Sequence, residues 1–138
     1  MAIHFFEEEV NYKLPDSEHT ILWIENSIKA EGYSLEELNF IFCSDEYLHK
    51  MNVEYLDHDT LTDIITFDNS EEENIIEGDI FISIDRVNEN ASNQNTLFDN
   101  ELHRVLIHGV LHLCGYGDKE ADEKKLMREK EDTYLSKL

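Results

Sequence analysis

Two histidines four residues apart, His108 and His112, lie in an apolar segment, and Asp118 follows six residues after the second. Four residues advance an α-helix by slightly more than one turn, so both imidazoles are predicted to lie on one helical face. Gly115 is a typical residue to end that helix, after which the chain would reverse and bring Asp118 toward the imidazoles. A histidine pair at this spacing also occurs by chance. The glycine and the carboxylate favour a metal site, and two nitrogens with one oxygen around an open position suit catalytic zinc.

A divalent metal at such a site activates water for hydrolysis of a phosphodiester or an amide. Zinc peptidases of the His-Glu-x-x-His type have a glutamate directly after the first histidine as general base, but this chain has Gly109 there. Peptide hydrolysis is therefore disfavoured, and no other residue is a clear general base. Arg104 lies one helical turn before His108 and is a candidate catalytic residue that contacts an oxyanion or phosphate. The alternative for this arginine is a surface ion pair with Glu101 or Asp99.

A facial triad of two histidines and a carboxylate also occurs in non-haem iron oxygenases. Here both histidines are predicted on one helix, and nothing in the sequence marks a pocket for a cosubstrate. We therefore favour a hydrolase over an oxygenase.

The composition is that of one globular domain. The chain has 138 residues, of which 41% are hydrophobic and 31% charged, so disorder is disfavoured. It has no apolar run long enough to span a membrane, and residues 1–10 lack the basic residues of a secretory signal. Two cysteines are too few for a disulfide scaffold and fit a reducing compartment. We expect a cytoplasmic protein in which residues 1–138 form a single metal-dependent, hydrolase-like domain.

The net charge of −21 argues against general affinity for nucleic acid, because such affinity comes from basic side chains that neutralise phosphates. An RNA substrate would therefore need a local binding site, the charge of the metal, or a partner protein. A solubilising acidic surface is the simpler meaning of the charge itself.

Hydrophobic patterning predicts the elements that position these residues. Strands are predicted over residues 3–6, 38–43, 64–67 and 78–84. Three helices are predicted to begin after a capping residue, which is Asp16 or Ser17, then Ser44, then Asp99 or Asn100. Two further helices are predicted over 85–95 and 119–138. The acidic segment 68–77 is predicted to connect two strands. The loop 57–63, with His58 and three aspartates, either lines a site or is a solvated turn. This order predicts an α+β fold with a small mixed β-sheet covered by helices, and the metal-bearing helix near the C-terminal end.

Apolar spacing on the last two predicted helices indicates which faces are buried. The metal-bearing helix is predicted to bury Leu102, Val105, Leu106, Val110 and Leu113. The final helix is predicted to have one apolar stripe, made by Leu126, Met127, Tyr134, Leu135 and Leu138.

Residues 108–118 resemble the signature of the YbeY family of bacterial endoribonucleases and ribosomal RNA maturation factors, whose pattern is His-Gly-x-Leu-His-Leu-x-Gly-Tyr-Asp-His. Three further stretches match in order and spacing: Met51-Asn52 the family's Leu-Asn, residues 62–67 its Thr-Asp-Val-Leu-Ser-Phe, and residues 78–80 its Gly-Asp-Ile. The resemblance covers most of the chain from about residue 40 onward. It implies an α+β fold, one catalytic zinc bound by His108 and His112, and cytoplasmic cleavage of single-stranded RNA. The implied tasks are maturation of the 3′ end of small-subunit ribosomal RNA and ribosome quality control.

The chain departs from the family pattern at two positions that the family uses to bind metal or RNA. Asp118 stands where the family has its third histidine; a carboxylate still binds metal, but it is a harder, anionic ligand that broadens metal choice toward manganese or nickel. Leu56 stands where the family has an arginine implied to contact RNA phosphate. That contact is missing unless Arg104, Lys50 or a neighbour replaces it.

Three hypotheses follow. The first is a zinc-dependent endoribonuclease in which His108, His112 and Asp118 hold one metal and Arg104 stabilises the developing charge. The second is a non-catalytic metal-binding factor in ribosome assembly that acts through a ribosomal or assembly protein. The third is a metallohydrolase with a small-molecule substrate. The acidity and Leu56 favour the second hypothesis over the first, and the signature favours the first.

Overall fold

A computed structural model describes residues 2–57 and 62–138 of the chain. His58 and Asp59, which belong to the predicted acidic loop, lie outside the described residues. Within them, strands and helices follow one another in the predicted β-α-β-α-β-β-α-α-α order. Their bounds are β1 Ile3–Glu8, α1 Ser17–Ala30, β2 Ser34–Cys43, α2 Asp45–Leu56, β3 Ile64–Asp68, β4 Ile75–Ser83, α3 Ile84–Asn93, α4 Phe98–Leu113 and α5 Ala121–Leu135.

The strands of the described residues form one mixed sheet in the order β1-β2-β4-β3. β1 pairs with β2 and β2 with β4 in parallel, whereas β3 pairs with β4 in antiparallel orientation. The central strands β2 and β4 contain the apolar runs Phe40–Cys43 and Ile80–Ile82, as expected for strands covered on both faces. The predicted α+β fold is confirmed, and α4 is the fourth of the five helices in the part of the chain that is described.

Helices cover both faces of the sheet. Side chains from α1, α3, α4 and α5 form the larger core with one face, in which Ile80, Ile82 and Leu106 are fully buried. Helix α2 packs on the other face through Leu48 against Ile65. This division follows from alternation along β4, because Ile80 and Ile82 point to one face and Phe81 to the other. No helix among the described residues is long and apolar enough to cross a membrane.

Each strand differs from the prediction at a boundary: β1 and β3 end later, at Glu8 and Asp68, β2 begins earlier, at Ser34, and both ends of β4 differ. β4 begins at Ile75 instead of residue 78, because Ile76 is buried and pairs with Leu35 of β2. It ends at Ser83 instead of residue 84, since the Ser83 hydroxyl accepts the Arg86 N–H and begins α3 directly. The predicted connection over 68–77 is therefore shorter, with both of its ends included in strands.

The N-terminus of α4 was wrongly assigned to Asp99 or Asn100. Leu97 is its N-cap residue, and no side chain caps the helix. Phe98 packs against the core and its ring contacts Tyr12, so the helix begins two or three residues earlier than predicted. Asp99 then lies in the first turn, where its charge favours the helix dipole.

The apolar stripe predicted on α5 is partly wrong. Met127 and Tyr134 are buried as predicted, but Leu126 and Leu138 are 44% and 40% exposed. Glu131, by contrast, is only 4% exposed. It lies four residues after Met127 and three before Tyr134, so the buried face of α5 contains a carboxylate that the apolar pattern did not predict.

Candidate metal site

Helix α4 positions both histidines by packing very closely on the sheet. A Cβ atom at Gly109 would lie 2.8 Å from Cδ1 of Ile64 and 3.1 Å from Cγ2 of Ile80. No larger residue fits there without a shift of those side chains. Gly109 therefore accounts for the close approach of α4 to β3 and β4, and the adjacent His108 lies at that edge of the sheet.

The structure brings His108, His112 and Asp118 together. One donor atom from each lies within 4.8 Å of the other two. Oδ2 of Asp118 lies 3.2 Å from Nε2 of His108 and 3.3 Å from Nε2 of His112. The two imidazole rings stand at 85° with centroids 4.5 Å apart. Two imidazole nitrogens and a carboxylate oxygen that converge in this way fit a divalent metal ion.

The other nitrogen of each imidazole has its own partner. Nδ1 of His108 lies 2.7 Å from Oε2 of Glu131, and Nδ1 of His112 lies 2.9 Å from the carbonyl oxygen of Tyr116. An acceptor at Nδ1 fixes the tautomer in which Nε2 has a free lone pair. Both rings therefore direct a metal-binding nitrogen toward Asp118, which is further evidence that the residues fit a metal.

Glu31 fixes the segment that follows α4. Its side chain is 8% exposed, accepts the Tyr116 hydroxyl at 2.6 Å and lies 3.2 Å from Nζ of Lys130. The Tyr134 hydroxyl of α5 also donates to this carboxylate. Gly115 takes a positive φ of 97° at the predicted end of the helix. Glu31 therefore ties the end of α1 to the residue whose carbonyl orients His112.

Arg104 is held by α5, not by its own helix. Nη1 lies 2.9 Å from Oε1 of Glu131, and Nη2 lies 2.7 Å from Oδ1 of Asp132. The expected alternative partners, Glu101 and Asp99, are therefore wrong. Glu131 contacts His108 with one oxygen and Arg104 with the other, so it joins the metal site to the candidate catalytic arginine.

A cavity of about 410 Å³ opens beside these residues. It is lined by the potential ligands His108 and Asp118, the acids Asp63, Glu101 and Glu131, the cations Arg104, Lys124 and Arg128, and the apolar Val105 and Met127. Asp63, the last residue of the predicted acidic loop, therefore lies at the site. Leu56, by contrast, is 43% exposed and does not line this cavity.

Burial and charge shift the pKa values of the groups in this cavity. Burial alone would lower the pKa of His108, but the hydrogen bond to Glu131 and the charges of Glu131 and Asp118 outweigh it and raise that pKa. Burial alone would raise the pKa of Glu131, but hydrogen bonds from His108 and Arg104 lower it. Burial raises the pKa of Asp63, partly offset by His108. The charge around the imidazoles is therefore mainly negative, which favours the binding of a cation.

Sequence reasoning missed Glu131 and Glu31 as residues of the site, whereas Asp63 belongs to the loop 57–63 for which a role at a site was one of two predicted alternatives. The sequence does contain an indication for Glu131. A charged residue at helical spacing between two apolar residues indicates a buried side chain with a polar partner. The sequence contains no such indication for Glu31, since its partners Tyr116 and Tyr134 are 85 and 103 residues away in the chain.

The chain was compared with known proteins. The family model described as Endoribonuclease YbeY matches residues 4–138. A relative named endoribonuclease YbeY from Cytophaga hutchinsonii is 58% identical over 98% of this chain and 94% of its own length. One of the same name from Amoebophilus asiaticus is 50% identical over 96% of this chain and 90% of its own. A solution structure from Thermotoga maritima is similar with a TM-score of 0.67 and 32% identity, covering 97% of this chain and 87% of that one.

Proposed function

Since the chain belongs to the YbeY endoribonuclease family, we propose that it is a zinc-dependent endoribonuclease specific for single-stranded RNA. Its proposed role is ribosomal RNA processing, namely maturation of the 3′ end of the small-subunit RNA, together with ribosome quality control in the cytoplasm. The proposed enzyme is one metal-dependent hydrolase domain of residues 1–138. Internal cleavage of RNA is the reaction that the names of its relatives describe.

The convergence of His108, His112 and Asp118 is the observation that carries this proposal. Their three donor atoms lie within 4.8 Å of one another, and both Nδ1 atoms have separate acceptors. Zinc supplies a Lewis acid that activates water for attack on a phosphodiester. In this chain Asp118 replaces a neutral ligand of the family pattern by an anionic one, so other divalent metals are also expected to bind.

The remaining residues of the cavity have distinct proposed roles. Glu131 orients His108, and the Tyr116 carbonyl orients His112. Arg104 is the proposed catalytic residue: two of its nitrogens are fixed by carboxylates, and a guanidinium has five N–H donors. Its remaining donors are available to a phosphate oxygen, where they would stabilise developing negative charge.

Cleavage of matched single- and double-stranded RNA tests the proposal. Zinc-loaded protein should cut a labelled single strand and leave the same sequence intact in a duplex. EDTA should abolish cleavage, and added zinc should restore it. Equal cleavage of both substrates, or cleavage that persists in EDTA, would contradict the proposal.

A non-catalytic assembly factor remains the alternative, and Leu56 is the observation that favours it. The position that the family pattern fills with arginine is apolar here. Metal binding with no cleavage of any RNA would support this alternative, and the search would then turn to a ribosomal or assembly protein partner.

A further inference from the structure

Two cations of α5 lie in the cavity beside the potential metal ligands. Lys124 and Arg128 are four residues apart, so they lie on the same face of the helix one turn apart. Both are exposed, and both line the cavity that contains His108 and Asp118. Their heads can therefore be reached from solvent at the position where a substrate would enter.

These cations differ from Arg104, which lines the same cavity. Arg104 is paired with the carboxylates of Glu131 and Asp132. Among the residues that the structure describes, neither Lys124 nor Arg128 lies within 4 Å of a carboxylate oxygen. The chain has only 11 lysines and arginines against 32 acidic residues. The cavity also contains acids, and the charge of Arg128 acts on Glu101 at longer range. Within the described part of the chain Lys124 and Arg128 have no carboxylate oxygen within 4 Å, so their N–H donors are the ones in this acidic chain that remain fully available to RNA phosphates beside the site.

Arg128 also lies at the junction of two cavities. A second cavity of about 410 Å³ shares Glu101, Arg104 and Arg128 with the first. Its other lining residues are Gln94, Thr96, Asn100, His103, Leu135 and Leu138, so it is mainly polar. Because they share three lining residues, the two cavities are adjacent, and we refer to them together as the groove. A groove of this kind can bind a flexible polyanion, because the positive charge of Arg128 lies where the cavities meet and hydrogen-bonding side chains line the second cavity.

We propose that Lys124 and Arg128 bind backbone phosphates of the single-stranded RNA beside the metal site. This inference rests on the proposed function and identifies residues that hold its substrate. It explains how the chain can bind RNA with leucine at position 56, because the phosphate contact comes from α5 instead of α2. Charged nitrogens on phosphate oxygens form strong hydrogen bonds and displace counterions.

Binding of a labelled uridine decamer by the zinc-loaded protein tests the inference. It is measured by fluorescence anisotropy between 50 and 300 mM salt, at times when a gel shows that the decamer is still intact. The variant is Lys124→Ala/Arg128→Ala, and its control is Lys29→Ala/Lys125→Ala. The control removes the same charge from exposed positions that do not line the groove. We expect the first variant to bind at least about tenfold more weakly at the lowest salt. The slope of log affinity against log salt should fall by about 1.4, or 0.7 for each lost contact. The control should match the wild type, and zinc content should be the same in all three proteins.

The outcomes separate this inference from the proposed function. Wild-type protein that neither binds nor cuts the decamer would contradict the proposed function itself. Wild-type binding that the variant and its control weaken equally would overturn only the inference, because general charge would then explain the effect. Loss of zinc from the Lys124→Ala/Arg128→Ala protein would also overturn it, since these side chains would then act through the metal.

Discussion

Nδ1 of His108 lies 2.7 Å from Oε2 of Glu131, although the two residues are 23 positions apart in the sequence. The other oxygen of Glu131 lies 2.9 Å from Arg104. One buried carboxylate therefore orients a potential metal ligand and fixes the candidate catalytic arginine. Such outer carboxylates increase ligand basicity and hold the imidazole in its metal-binding tautomer.

Glu131→Gln should lower zinc affinity by about 10- to 100-fold, because a neutral amide holds the imidazole less strongly. The free energy of unfolding should fall by about 1–3 kcal/mol, since Arg104 loses a charged partner. Competition with a chromophoric chelator measures the affinity, and thermal denaturation measures the stability. Glu129→Gln, an exposed change on the same helix, should alter neither quantity. Unchanged zinc affinity in the Glu131 variant would refute its orienting role.

Tyr116→Phe should weaken zinc binding by up to about tenfold, because the hydroxyl that ties this residue to Glu31 is lost. The carbonyl that orients His112 is then less firmly placed. Tyr134→Phe is the matched control, since it removes another hydroxyl from the same carboxylate but at a residue that does not contact His112. The absorption spectrum of the cobalt-substituted protein should change only in the Tyr116 variant. Equal effects of both variants would mean that Glu31 has a structural role only.

Glu101→Gln should stabilise the protein at pH 7. Glu101 is 6% exposed, and burial, with a contribution from Asp63, outweighs the opposing charges of Arg104 and Arg128 and raises its pKa above the ordinary value of 4.5. Ionisation therefore costs more in the folded than in the unfolded chain, and this cost grows as pH rises through the normal glutamate range. Below about pH 3 the carboxyl group is protonated in both states, so the difference between variant and wild type should disappear. Denaturant unfolding at several pH values measures this difference, and a constant difference would contradict the prediction.

Gly109→Glu, which would complete a His-Glu-x-x-His motif, should destabilise the fold instead of creating a peptidase. A Cβ atom at this position already lies 2.8 Å from Ile64, and a buried charge without a partner adds a further cost. We expect the free energy of unfolding to fall by about 3 kcal/mol or more, because the site is overpacked and a charge is buried. Gly109→Ala should lose less stability than Gly109→Glu, because only the close contact of the Cβ atom is added. Thermal denaturation of both variants is the measurement, and a Gly109→Glu protein as stable as wild type would be inconsistent with the packing of α4.

Local sequence predicted the order of elements because each strand and helix has its own hydrophobic period. It also placed His108 and His112 on one helical face, which depends only on the geometry of a helix. The N-terminus of α4 was misplaced because Asp99 and Asn100 have strong capping propensities, whereas tertiary packing of Phe98 decided the boundary. The start of β4 before Gly78 was missed because Ile75 and Ile76 closely follow the acidic residues 71–73 and resemble part of the same loop until Ile76 is seen to be buried.

The outer residues of the site could not be predicted in the same way. Glu131 lies on a different helix from His108, and Glu31 lies more than 80 residues from Tyr116. Their proximity depends on how α1, α4 and α5 pack on the sheet, which no local pattern specifies. The helical face with Lys124 and Arg128 belongs to the final helix predicted over 119–138, and no spacing in that helix indicates a site. Only the packing of α5 beside α4 shows that this face borders the cavity.

Metal content and cleavage of single-stranded RNA, measured on one purified batch of wild-type protein and of His112→Ala, test the central claim most directly. The account predicts one zinc per wild-type chain, cleavage of the RNA, and loss of both in the folded variant. Asp118→Ala should likewise lose metal while keeping its fold. Cleavage that persists in His112→Ala without metal, or a wild-type protein that holds zinc and cuts no RNA, would contradict the account.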